Sequence, residues 1–149
     1  MAANSRFAIA VHILTMMAWA GDEPLKSEQV ACSVNTNPVV IRRILCALQK
    51  ARLVVSQTGA AGGSRLARKP GQITLLDIYR AVDAGELFSL HRQPPNDECP
   101  VGMNIEVVLE DILSEVGQSI ERVLAKITIE KVLQAVEPRA AALRRKVRA

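Results

Sequence analysis

The chain has 149 residues, of which 49% are hydrophobic and only 3% aromatic, with a formal net charge of +4. That size and apolar content suit one domain, or one domain with an appended helical arm, able to bury a core, and they exclude a disordered chain. So few aromatic residues argue against a carbohydrate cleft and against a stacking platform for single-stranded nucleic acid.

The charge is segregated. Between Glu28 and Asp77 there is no acidic residue, whereas Arg42, Arg43, Lys50, Arg52, Arg65, Arg68 and Lys69 all fall there. From Asp77 to Glu137 twelve acids face five bases, and after Pro138 the tail carries Arg139, Arg144, Arg145, Lys146 and Arg148 without an acid side chain. A positive block followed by a negative one points to a polyanion-binding module joined to a segment with another task.

Asn4 or Ser5 can cap a first helix running to about Ala20, with Phe7, Val11, Leu14 and Met17 on one stripe. Ala18-Trp19-Ala20 imitates a signal-peptidase site, but a single arginine precedes the apolar run and His12 interrupts it, so the segment reads as a helix and not a leader. No run approaches the eighteen or so apolar residues of a membrane span. Gly21-Asp22 ends the helix, and Ser27 is a plausible cap for a short one over about Glu28 to Ser33. Asn35 and Asn37 favour a turn, and Asn37-Pro38 gives an N-cap followed by proline at the first helical position. The helix PVVIRRILCALQKA then places Val40, Ile41, Ile44, Leu45 and Leu48 at core spacing. Two helices joined by so short a turn have helix-turn-helix spacing, and the N-terminal face of the second, Thr36 to Arg43, holds small or basic residues and no carboxylate.

LVVSQ, TGAAGGS and RLAR read as strand, turn and return strand. A nucleotide phosphate loop would need a strand-loop-helix setting and a lysine followed by Ser or Thr, and Gly59, Gly62 and Gly63 have neither. A purely structural hairpin is the competing reading; as a wing, the glycines supply positive φ and let amides approach DNA phosphates while Arg65 reaches a minor groove. Pro70-Gly71 closes the unit, and Thr74 begins a helix over TLLDIYRAVDAG with Asp77 as its capping-box partner. After an irregular stretch from Glu86 to Met103, a long helix from Asn104 to about Lys126 carries Ile105, Leu109, Ile112, Val116, Ile120, Val123 and Ile127 at steps of three and four. Val108, Leu113 and Leu124 widen that seam beyond what one small core requires, so its spare face needs a partner, most simply its own copy. Thr128 caps a last short helix that Pro138 ends.

This order is that of a mostly α protein with a small β-hairpin: a winged helix-turn-helix DNA-binding domain over 1–85, a connecting loop 86–103, a dimerisation helix with a short follower over 104–137, and a basic tail 138–149. The stretches SRFAIAVHIL, RRILCALQKARLVVSQTGAAGGSRLAR, ITLLDIYRAVD and ECPVGMNIEVVLEDIL go further and resemble the Rrf2 family of bacterial transcription regulators, over about residues 4 to 127. Three widely spaced cysteines, Cys32, Cys46 and Cys99, argue against a secreted disulfide framework and for the cytoplasm, and the resemblance implies a homodimer that binds a palindromic double-stranded DNA operator, usually as a repressor. It implies a reading helix over 38–50 and a wing over 57–68. The DNA-contacting set is then Ser27, Asn37, Pro38, Val39, Arg42, Arg43, Gly59, Gly62, Gly63 and Arg65, with Ile105, Leu109, Ile112, Val116, Ile120 and Val123 between subunits. Two positions depart from the family pattern. Ser64 stands where many members have an aromatic residue, and Cys99 stands alone where cluster-binding members have three cysteines.

A metal or cluster needs about four ligands, and Cys32 and Cys46 fall on helices of the DNA-binding unit. In a dimer Cys99 could meet its twofold copy, His12 or His91; it could instead be an oxidisable thiol, or a passive residue seating the CPVG turn. No resident cofactor is expected. No arrangement of residues supports catalysis, because Glu106, Glu110, Asp111 and Glu115 read as a solvated helix face. A protein-interaction module with an acidic partner is the rival to DNA binding. Nothing in the sequence names an effector.

Overall fold

The computed structural model describes residues 5–82 and 85–148, with side chains as far as Leu143. Six helices and one antiparallel hairpin follow in the order α1 (Arg6–Ala20), α2 (Ser27–Val34), α3 (Pro38–Lys50), β1 (Val54–Gln57), β2 (Gly63–Leu66), α4 (Leu75–Ala81), α5 (Pro100–Leu124) and α6 (Ile129–Arg148), with a 3-10 turn at Pro70–Gln72.

The core gathers one face from each early element. Ile13, Leu14 and Met17 of α1, Val30 of α2, Ile41, Ile44 and Leu48 of α3, Leu53 and Val54 entering the hairpin, Ile73, and Ile78 of α4 are all buried. In α3 these are the positions spaced for a helix face, while Val40 at the edge is half-buried. Phe7 and Tyr79 meet edge to face, 5.9 Å between ring centroids, and join α1 to α4.

Helix ends explain several boundaries. Ser27 is the first residue of α2 and not its cap; Lys26 holds the cap position, and its backbone N–H donates to Gln29 Oε1 at 2.8 Å. α2 closes on Asn35 in the left-handed region at φ 60°, a conformation asparagine tolerates better than most residues. α3 closes the same way on Arg52 at φ 59°, where Leu53 N–H reaches Leu48 O and Arg52 N–H reaches Gln49 O. Thr74 and Asp77 exchange side-chain-to-backbone hydrogen bonds as a capping box. Asn4 as a cap and the helix reading at Asp83 and Ala84 lie outside the described residues.

Two expectations at the C-terminal end are corrected. α5 starts at Pro100, not Asn104, since proline fits the first helical position and Asn104 Nδ2 donates to Pro100 O. Pro138 does not end α6, which runs on through it, so the division placed between 137 and 138 falls inside a helix. Proline removes one donor from the ladder, and Arg139 Nη1 donates to Ala135 O at 2.6 Å one turn back. Nor is α6 a mere appendage. Ile129 is in the core, its N–H bonded to Ile73 O, and α6 lies along α1.

α5 differs from every other long element. It has no buried residue, and Val108, Ile112 and Val123 are each more than half exposed. Near its end it is tied to α4 by Arg80 Nη2 and Glu121 Oε2 at 3.0 Å. Among the described residues no helix is long and apolar enough to cross a membrane.

Candidate nucleic-acid interface

The turn between α2 and α3 is built from short-range bonds. Thr36 N–H reaches Ala31 O, and Asn37 Oδ1 accepts Val39 N–H at 2.8 Å, which caps α3 with Pro38 at its first position. These bonds set the angle at which α3 leaves α2. Val39, Arg42 and Arg43 stand exposed on its first two turns, with Ser27 half-buried on α2. Sequence spacing did not reveal the neighbour of Arg42: Glu28 of α2 lies 3.7 Å away, both side chains exposed. The acid that bounds the basic block in sequence is therefore brought back against it by the fold.

β1 and β2 pair from Val54 opposite Leu66 to Gln57 opposite Gly63, so the return strand starts two residues before the expected Arg65 and the tip is Thr58 to Gly62. The three glycines do different things. Gly59 is exposed at φ 103°, and a Cβ there would meet nothing. Gly62 is buried, its N–H already donates to Gly59 O, and a Cβ would run into the Gln57 carbonyl. At Gly63 a Cβ would lie 2.8 Å from Leu25 O. That approach is forced by a bridge between Leu25 and Ser64, whose N–H and C=O groups bond reciprocally at 2.8 and 2.9 Å. The wing is thus tied to the segment leading into α2, and of the three glycines only Gly59 has the open, positive-φ placement expected of the tip.

Ser64 is buried, with its Oγ 2.7 Å from Ser56 Oγ; Ser56 Oγ in turn accepts Gln49 Nε2 from α3. Its side chain serves the hairpin's inner face and is not on offer to a ligand. Arg65, opposite Val55, is exposed, and Arg68 Nη2 reaches Ala51 O at 3.4 Å.

Of the predicted intersubunit residues, Ile112 and Val123 are exposed and Ile105, Leu109, Val116 and Ile120 half-buried. Val116 and Ile120 also line a groove shared with Leu87 and Phe88 of the loop after α4. Cys99 occupies the cap position of α5, exposed, and the backbone amides of Gly102 and then Val101 hold its thiol below the ordinary cysteine value.

The chain matches the family Rrf2, described as "Iron-dependent Transcriptional regulator", over residues 3–135. It belongs to the Rrf2 family. It is 43% identical over 131 residues to "Putative HTH-type transcriptional regulator YwnA" of Bacillus subtilis (strain 168), covering 87% of this chain and 96% of that one. Among solved structures it resembles a "putative DNA binding protein" at 38% identity and TM-score 0.70, over 87% of this chain and 99% of that one. In fold alone it also resembles IscR of T. potens, at 24% identity and TM-score 0.69 over 91% and 88% of the two chains. Like its Rrf2 relatives, the chain is a DNA-binding transcriptional regulator of winged-helix type and not an enzyme.

The family's description names iron, and the described donor set within one chain does not fit it. Among the described residues no three His, Cys, Asp or Glu side chains come together, whereas a cluster needs about four ligands. Cys32 and Cys46 are exposed on α2 and α3, and Cys99 stands alone in its loop.

Proposed function

We propose that this chain is a cytoplasmic homodimeric repressor that binds a palindromic operator, with the start of α3 in each major groove and each wing on the adjacent backbone or minor groove. The observation that carries the reading is the exposed surface of Val39, Arg42 and Arg43 on a capped helix whose far end is hydrogen-bonded to the wing through Gln49. Asn37, Pro38 and Ser27 shape the entry, Gly59 lets the tip approach a phosphate, and Arg65 is the groove-reaching residue. Gly62 and Gly63 act by allowing the hairpin to close against Leu25. In this reading residues 1–85 form the DNA-binding domain and α5 pairs the subunits through Ile105, Leu109, Ile112, Val116, Ile120 and Val123.

With each α3 in successive major grooves on one side of the duplex, the two reading helices sit about 34 Å apart. Selection of bound fragments from genomic DNA, followed by footprinting, tests this. The expected result is a two-fold symmetric footprint with half-sites about one helical turn apart, lost with the triple charge reversal of Arg42, Arg43 and Arg65 to glutamate. Fragments with no shared symmetric sequence, or binding indifferent to the reversals, would sink the proposal; loss of a protein partner instead would favour an interaction module.

A second reading concerns regulation. The amides that lower the Cys99 thiol favour its reactive form at an exposed site, so oxidation there could control DNA binding. A Cys99→Ser protein whose operator affinity still responds to peroxide would exclude it.

A further inference from the structure

Away from α5 and from the start of α3, α1 and α6 form a cleft of about 640 Å³ that reaches Leu25 and the last turn of α2 at Ser33. Val11, Met16 and Trp19 of α1, Leu25 ahead of α2, and Val132 and Val136 of α6 make its walls. Among the described residues no lysine, arginine, aspartate or glutamate lines it, although those types make up 23% of the chain. Among these lining residues an ionic occupant finds no countercharge, so a neutral one is favoured.

The polar groups in the cleft are few and placed together. Thr15 Oγ1 is already satisfied, donating to Val11 O at 2.7 Å. His12 Nε2 and Ser33 Oγ lie 3.0 Å apart and join α1 to the last turn of α2. A serine hydroxyl both donates and accepts, so this pair retains capacity for one further hydrogen bond to a ligand. Concave, mostly apolar walls with a small convergent polar group, at a volume inside the range of about 300–1,000 Å³, are the features of a small-molecule site. A second copy of the chain is the other conceivable occupant, but the apolar surface of α5 is already available to a copy and shares no residue with the cleft.

We propose that this cleft binds a neutral, largely apolar small molecule with one hydrogen-bonding group directed at His12 and Ser33, and that the molecule acts as an effector. An occupant touches Ser33 in the last turn of α2, Leu25 just ahead of that helix and the body of α6, so it braces the first helix of the helix-turn-helix against α1. The effector role rests on the DNA-binding reading; occupancy of the cleft does not.

Trp19 is the only tryptophan in the chain and stands in the cleft wall, so its emission reports occupancy directly. The probe is N-phenyl-1-naphthylamine, which is neutral, apolar and carries one N–H. Titrated into the full chain, it should quench Trp19 saturably at one molecule per chain. Val136→Phe and, separately, Ala140→Leu fill the cleft from α6 and should each weaken binding about tenfold, equivalent to roughly 1.4 kcal/mol, while far-UV circular dichroism stays that of the parent. Quenching that does not saturate, or that persists unchanged in both filled variants, overturns the site. At saturation the probe should shift affinity for the selected operator at least severalfold. An unshifted affinity overturns the effector role while leaving DNA binding itself demonstrated.

Discussion

Ser64 Oγ lies 2.7 Å from Ser56 Oγ across the hairpin, at a directly opposed pair of the register, and Gln49 of α3 donates into the same pair. The orientation of the hairpin is thereby coupled to the end of α3 through the buried Ser64 hydroxyl and the exposed Ser56, not through the exposed arginines. Ser64→Ala removes a buried hydroxyl and its hydrogen bond to the exposed Ser56, and should lower stability by about 1 kcal/mol. It removes no cation, so the dependence of DNA binding on salt should keep its slope. Urea unfolding and salt titrations measure the two effects. An unchanged urea midpoint would show that the hydroxyls are not coupled.

Arg42 and Glu28 make a solvent-exposed pair at 3.7 Å, and such a pair contributes about 0–1 kcal/mol. On the proposed DNA-binding reading a phosphate can therefore displace Glu28, and this acid should oppose DNA more than it holds the fold. Glu28→Gln should tighten operator binding by up to about fivefold, the factor matching the upper end of that range of energies. Arg42→Ala, if Arg42 meets a phosphate, should reduce the slope of log affinity against log salt by about one. Fluorescence anisotropy over a salt series measures both. Weaker binding by Glu28→Gln would mean that the carboxylate positions Arg42 for contact.

The helical face of α3 and the capping box of Thr74 and Asp77 were legible in the sequence because each is local: a spacing of three or four, or two residues three apart. What the sequence withheld was contact across distance. Nothing in the segment around Leu25 announces that it bridges Ser64, yet that bridge is what requires Gly63. Without it the paired glycines looked like one device, when Gly62 is confined by Gln57 O and Gly63 by Leu25 O. Glu28 beside Arg42 was hidden for the same reason. Pro138 misled in another way: its cost to a helix is bounded, and a helix seated on α1 and anchored by Ile129 tolerates the missing donor.

A helix of 25 residues with none of them buried, more than half-exposed at Ile112 and Val123, contributes little to the core of its own chain. Its apolar face is useful when a second α5 covers it. If α5 pairs the subunits as proposed, Ile112→Glu should give a monomer in sedimentation equilibrium and abolish tight operator binding, because two half-sites are then no longer linked. Folding of the winged unit should survive, since the exposed Ile112 is neither a member of the core cluster nor among the hydrophobic residues packed against it. The parent's unfolding temperature should rise with protein concentration and the variant's should not. A monomeric parent protein at micromolar concentration would refute the pairing.

Cys99 provides a pH test of its own surroundings. The amides of Gly102 and Val101 stabilise the thiolate at the start of α5, so its folded-state pKa lies below the value it takes in the unfolded chain. The associated contribution to stability is present above the unfolded pKa and is lost as pH falls through the folded one. Alkylation reads the same shift kinetically, because the thiolate is the nucleophile. In a Cys32→Ser, Cys46→Ser background the iodoacetamide rate should rise with pH along a curve displaced to lower pH than that of N-acetylcysteine. Urea should move the curve back toward the free thiol as the amides disperse. Gly102→Ala supplies the structural control: a Cβ there would lie 2.2 Å from Asn96 O, so the turn must shift and the displacement should shrink. A curve that coincides with that of N-acetylcysteine in the folded protein would mean that these amides do not hold the thiolate in solution.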